Sequence, residues 1–150
     1  MFRRVSLIVV ALSLLSGFAV PAAQDAANDK DKKLLQGKWQ EVSLVEGGEE
    51  SKVKSKKFVT FDGDKVKITQ GDQGDDILAA GTFIVDAGKT PKTIDLKGKD
   101  GAPLDRRATG IYQLKGDDLK LCLGKKERPT EFVSTAKNGH VVIVYKRVKN

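Results

Sequence analysis

Few side chains in this sequence have both the type and the spacing that chemistry requires. Asp72, Asp75 and Asp76 in QGDQGDD offer oxygen ligands to a hard cation. Their spacing departs from that of a calcium loop and fits the solvated tip of a hairpin. His140 is the only histidine, with no second histidine and no cysteine pair to complete a zinc or copper set. Cys122, the only cysteine, sits in LKLCLG between Leu121 and Leu123. There a thiol behaves as a small hydrophobe, and a nucleophile would need a base beside it. No residue is therefore assigned a catalytic role, no metal or cofactor is expected, and a non-enzymatic protein follows. KERPTEF holds the richer pair. Pro129 fixes φ and lacks a donor, so it should begin or precede a strand. Arg128 and Glu131 then either form an ion pair that brackets this corner, or point into a cavity mouth and hold an anionic ligand through the guanidinium fork. Tyr112 and Phe83 lie in strand patterns, and Tyr112 could place a hydroxyl in an apolar pocket.

The elements that must position these residues are strands. In KKFVTFDGDKVKITQ, Phe58-Val59-Thr60-Phe61 and Lys65 to Thr69 flank Asp62-Gly63, which suits a tight primed hairpin turn. GIYQLKGDDLKLCLG repeats the pattern around Gly116-Asp117, and Leu119, Leu121 and Leu123 alternate with Lys120 and Cys122. Further strands are expected at Lys38–Glu46, Ala79–Asp86, Thr93–Lys97, Glu131–Ser134 and His140–Val148, with a turn at Asn138-Gly139 before the last. Eight or nine short strands spaced by about ten residues, with no room for helical crossovers, give an antiparallel all-β domain over residues 31–150. Closing the meander removes two exposed edges, which favours an up-and-down barrel; a β-sandwich is the alternative. VVIVYKRV is apolar on both faces through Val144, as suits a strand inside a closed sheet that pairs with the first. The inward set includes Phe58 or Phe61, Val66, Ile68, Phe83, Tyr112, Leu114, Leu119 and Leu121. A barrel of this size either fills with such side chains or holds one small ligand, and the sequence leaves the two open.

The N-terminus indicates compartment. Arg3 and Arg4, an apolar run from Val5 to about Leu15, and Val20-Pro21-Ala22 have the layout of a signal peptide over residues 1–22. The run is too short to span a bilayer, so export to the periplasm or beyond is expected, with no stable membrane insertion after cleavage. Residues 23–30 read as a flexible leader, and Asp29 or Asp31 as the cap of a short helix through Leu35, ended by Gly37. The formal charge of +7 falls to +5 with the loss of Arg3 and Arg4. Acids are interleaved with those charges, and the densest basic run, Lys52 to Lys57, adjoins Glu49 and Glu50. That distribution argues against nucleic acid as a partner. A monomer that meets a small-molecule ligand or an envelope protein is expected.

LLQGKWQEVSL contains the only tryptophan. Gly37-Lys38-Trp39, opening a strand after a short helix, is similar to the Gly-x-Trp entry of the lipocalin-like (calycin) barrels. The resemblance implies that Trp39 plugs one barrel end and that an arginine of the final strand lies across its ring. Arg147 is the matching residue, with Lys146 its neighbour of opposite parity. KLLQGKWQEVSL, FDGDKVKI, PKTIDL, GIYQLKGDDLKLCLG and KERPTEF, in that order, resemble an uncharacterised domain family of small secreted proteins abundant in planctomycetes. Asp105-Arg106-Arg107 departs from that pattern. This second resemblance implies a small, exported, β-rich protein and no particular activity.

Overall fold

The computed structural model describes residues 21–52, 55–98 and 108–149. The expected signal peptide up to residue 20, Val53 and Lys54 of the basic run, and Asp105-Arg106-Arg107 lie outside the described residues.

One helix, α1 (Pro21–Leu35), precedes nine strands: β1 (Gly37–Glu46), β2 (Glu49–Glu50), β3 (Lys57–Asp62), β4 (Lys65–Gln70), β5 (Asp76–Asp86), β6 (Lys92–Gly98), β7 (Ala108–Lys115), β8 (Asp118–Gly124) and β9 (Val141–Arg147). Each strand from β3 onward pairs antiparallel with the next, β3 pairs with β1, and β9 returns to pair with β1. The result is a closed, lipocalin-like barrel of eight strands, with β2 as a two-residue addition against the second half of β1. The β1–β9 ladder excludes the sandwich: a sandwich would leave both of those edges open. The two hairpins read from the sequence form as expected, with Gly63 and Gly116 at φ 59° in the turns.

Period-2 alternation carries Trp39, Val59, Phe61, Val66, Phe83, Val85, Ile94, Leu96, Tyr112, Leu119, Leu121, Ile143 and Tyr145 to the interior, where all are buried. Phe61 and Phe83 meet edge to face at 4.8 Å between ring centres. Phe58 has the opposite parity and is buried on the outer face, beneath the Lys38 ammonium at 4.3 Å. The closure also needs close backbone approach. A Cβ at Gly81 would stand 2.0 Å from the Lys97 carbonyl oxygen on β6, so only glycine fits there.

Two elements depart from expectation. Residues 23–30 are helical rather than an irregular leader, as part of the longer α1. Glu131–Ser134 forms no strand. The 125–140 connection instead wraps the outside of the barrel, where Phe132 packs on a second cluster made by Ile111, Cys122 and Val142.

Candidate functional site

The helix explains one end of the barrel. Gln24, Asn28, Asp31 and Leu35, spaced by four, three and four residues, share one face of α1. Gln24 donates to Asp86 at 2.9 Å, and Asn28 accepts from the Ala87 amide at 2.7 Å. One oxygen of Asp31 accepts from both the Tyr112 hydroxyl and the Lys92 ammonium, each at 2.6 Å. Leu35 is fully buried in the core. The helix is thus a lid, bolted to the rim by polar groups and plugged by one leucine.

Trp39 completes the closure. It is 0% exposed, and its indole N–H donates to the Leu35 carbonyl at 2.8 Å. The Arg147 guanidinium lies 4.1 Å from the ring centre, a cation–π pair of about 0.5–2 kcal/mol. It also donates to the Gln36 carbonyl at 2.8 Å and the Leu34 carbonyl at 2.5 Å. Arg147 therefore caps the exposed carbonyls at the helix C-terminus while covering the indole, and its planar fork suits both tasks. Gly37, at φ 108°, turns the chain from helix to strand under that guanidinium.

The other residues expected at a ligand site are placed differently. Tyr112 is buried, and its hydroxyl donates to Asp31. Burial, then the Asp31 hydrogen bond and charge, hold its phenol far above the ordinary range. Phe83 is core. Arg128 pairs with Asp95 at 2.6 Å and donates to the Gly110 carbonyl at 2.7 Å, on the outer side of β6 and β7. Glu131 is exposed on the same outer connection. Arg128 bridges β6 and β7 through Asp95 and the Gly110 carbonyl, and the expected ion pair with Glu131 is not found among the described residues. The reason is local: without a strand at 131–134, nothing turns Glu131 back toward the guanidinium. Cys122 is buried with its thiol pushed up by burial, which disfavours a thiolate. Among the described residues no group of three or more His, Cys, Asp or Glu side chains could hold a metal ion.

A different group stands inside the barrel. Glu41, two residues after Trp39, shares its inward parity and is only 7% exposed. It is the cross-strand partner of buried Tyr145 on β9. On the other side, the β1–β3 register runs Trp39↔Val59 and Gln40↔Phe58, so the next step sets Glu41 beside Lys57. Desolvation raises the Glu41 carboxyl above its ordinary range, and the Lys57 charge opposes this in part. Burial, and then the Glu41 charge, raise the Tyr145 phenol. Neither the Glu41 carboxylate nor the Tyr145 hydroxyl has a hydrogen-bond partner among the described residues, although every fully enclosed side-chain nitrogen or oxygen there has one. The oxygens of Glu41 and Tyr145 therefore border space that solvent can reach. A row of three polar groups, Tyr145–Glu41–Lys57, crosses β9, β1 and β3 on the inner wall.

Two hollows lie elsewhere. One of about 530 Å³, on the outer face of β3–β6, is lined by Thr60, Lys65, Lys67, Thr82 and Lys97. The other, of about 340 Å³, lies at the 87–92 turn beside Tyr112 and Phe132.

Glu41 was missed because a single glutamate in a strand reads as a solvent-facing residue. Its parity with Trp39 was the available signal. Comparison with family models, curated proteins and solved structures finds no match to this chain.

Proposed function

We propose that the chain is an exported, non-enzymatic barrel that holds one small ligand of mixed polarity in its interior, against Glu41 and Tyr145. The observation that carries this reading is the inward-facing Glu41 carboxyl, 7% exposed and without a hydrogen-bond partner among the described residues. Its oxygens border space that solvent can reach, so a ligand entering there can replace water as the partner of a carboxyl that the rest of the wall leaves unbonded. Leu44, Val59 and Ile143 offer apolar contact on the same inner face. The filled, helix-capped end leaves the opposite end as the route of entry. Native mass spectrometry of protein purified gently from its own host tests the reading. One small molecule retained per chain is the expected result. Exclusively empty protein that also fails to take up any small polar–apolar probe would overturn it.

A second reading rests on the outer hollow with Lys65, Lys67 and Lys97 around it. It makes the protein an envelope interaction domain that meets acidic polymers. Such binding would weaken steeply with salt, since exposed charges are screened beyond about 10 Å at 0.1 M. Loss of polyanion binding on reversing those three lysines is its expected outcome; binding that ignores both salt and the lysines contradicts it.

A further inference from the structure

We infer that the interior site selects a neutral head group that both donates and accepts hydrogen bonds, such as a primary carboxamide, carried on an apolar body. This deepens the interior-ligand reading and rests on it.

Neighbouring side chains on one face of paired strands stand roughly 5 Å apart at Cβ. Tyr145, Glu41 and Lys57 therefore form a continuous strip on the inner wall. No ion pair joins Glu41 to Lys57 among the described residues, although the β1–β3 register sets the two side by side and the Lys57 charge reaches the Glu41 carboxyl. A ligand ammonium would pair with Glu41 but lie beside the Lys57 ammonium. A ligand carboxylate would pair with Lys57 but lie beside Glu41. Each charged head gains one contact and meets one like charge. A carboxamide gives its N–H to the Glu41 carboxylate and accepts at its oxygen from Tyr145 or Lys57, with no like charge beside it. Should Glu41 take up a proton, its carboxyl still offers an acceptor oxygen, and the amide still fits. The neighbouring Leu44, Val59 and Ile143 then cover a short alkyl chain.

Three probes of equal length and different head groups separate the outcomes: hexanamide, hexylammonium and hexanoate, titrated into the full chain at pH 7 by calorimetry. Hexanamide is expected to bind about tenfold more tightly than either ion, the value of one hydrogen bond to a charged group. Glu41→Leu should weaken hexanamide by about the same factor. Glu41→Gln keeps one acceptor and the shape of the side chain, so it should hold hexanamide to within about threefold. It serves as the control should the leucine variant fold poorly. Preference for hexylammonium or for hexanoate overturns the neutral-head assignment and leaves an interior site standing. Binding of all three that is indifferent to both variants overturns the assignment to Glu41. No binding of any probe overturns the interior-ligand reading itself.

Discussion

Trp39 and Glu41 sit two residues apart on β1 and do opposite work. Trp39 seals its end of the barrel, and its truncation to alanine should cost about 3–5 kcal/mol, as large-to-small core changes do. Arg147→Lys keeps the charge but loses the fork that spans the Leu34 and Gln36 carbonyls, so a smaller loss of about 1 kcal/mol is expected. Urea denaturation measures both; a tryptophan variant within 1 kcal/mol of the parent would show that the indole is not part of the core. Glu41 has the reverse signature. Burial raises its carboxyl above the ordinary 4.5, so the folded chain holds that proton more tightly than the unfolded chain. Its contribution to stability is thus complete below about pH 4.5 and is lost as pH rises through the raised value. Glu41→Gln should remove this decline, so the variant gains on the parent between acid and neutral pH in denaturation series. An unchanged pH dependence would mean that Glu41 is solvated. Tyr145 and Lys57, which face it, are the same in both proteins.

At the scale of elements, α1 is a lid held by polar bonds. Asp31→Ala would leave the buried Tyr112 hydroxyl without its acceptor, at a cost of about 1–3 kcal/mol, whereas Tyr112→Phe removes only the donor and should cost about 0.5–1.5 kcal/mol. Amide exchange should speed up over α1 in the Asp31 variant before it does so in the sheet; uniform speeding would contradict a separable lid. The same polar bonding explains why the helix was only partly legible. The face it turns to the barrel carries Gln24, Asn28 and Asp31, so the apolar 3.6-residue period that reveals a helix is absent, and only Leu35 and the Gly37 stop marked its end. The hairpins at Asp62-Gly63 and Gly116-Asp117 were legible because turn geometry is written in local residue type. Glu131–Ser134 misled because Phe132 packs on the outside of the sheet while Val133 is exposed, so apolar residues there do not imply strand pairing.

For the whole molecule, barrel closure was legible from strand count, the lack of crossovers and the two-faced apolar β9. The Trp39–Arg147 plug followed from the Gly-x-Trp entry. The row around Glu41 was only partly legible: its parity with Trp39 is written in β1 itself, but that Tyr145 and Lys57 flank it follows only once β9 and β3 pair with β1. Among the described residues no helix is long and apolar enough to cross a membrane. On the proposed reading the inner wall of the barrel, and not its outer surface, receives a ligand. Methyl NMR on the full chain during a hexanamide titration tests this most directly. Shifts at Leu44, Val59 and Ile143, with Ile77 and Ile84 on the exposed surface unmoved, are the predicted result. Shifts confined to Ile77 and Ile84, or none at the three interior residues, would contradict it.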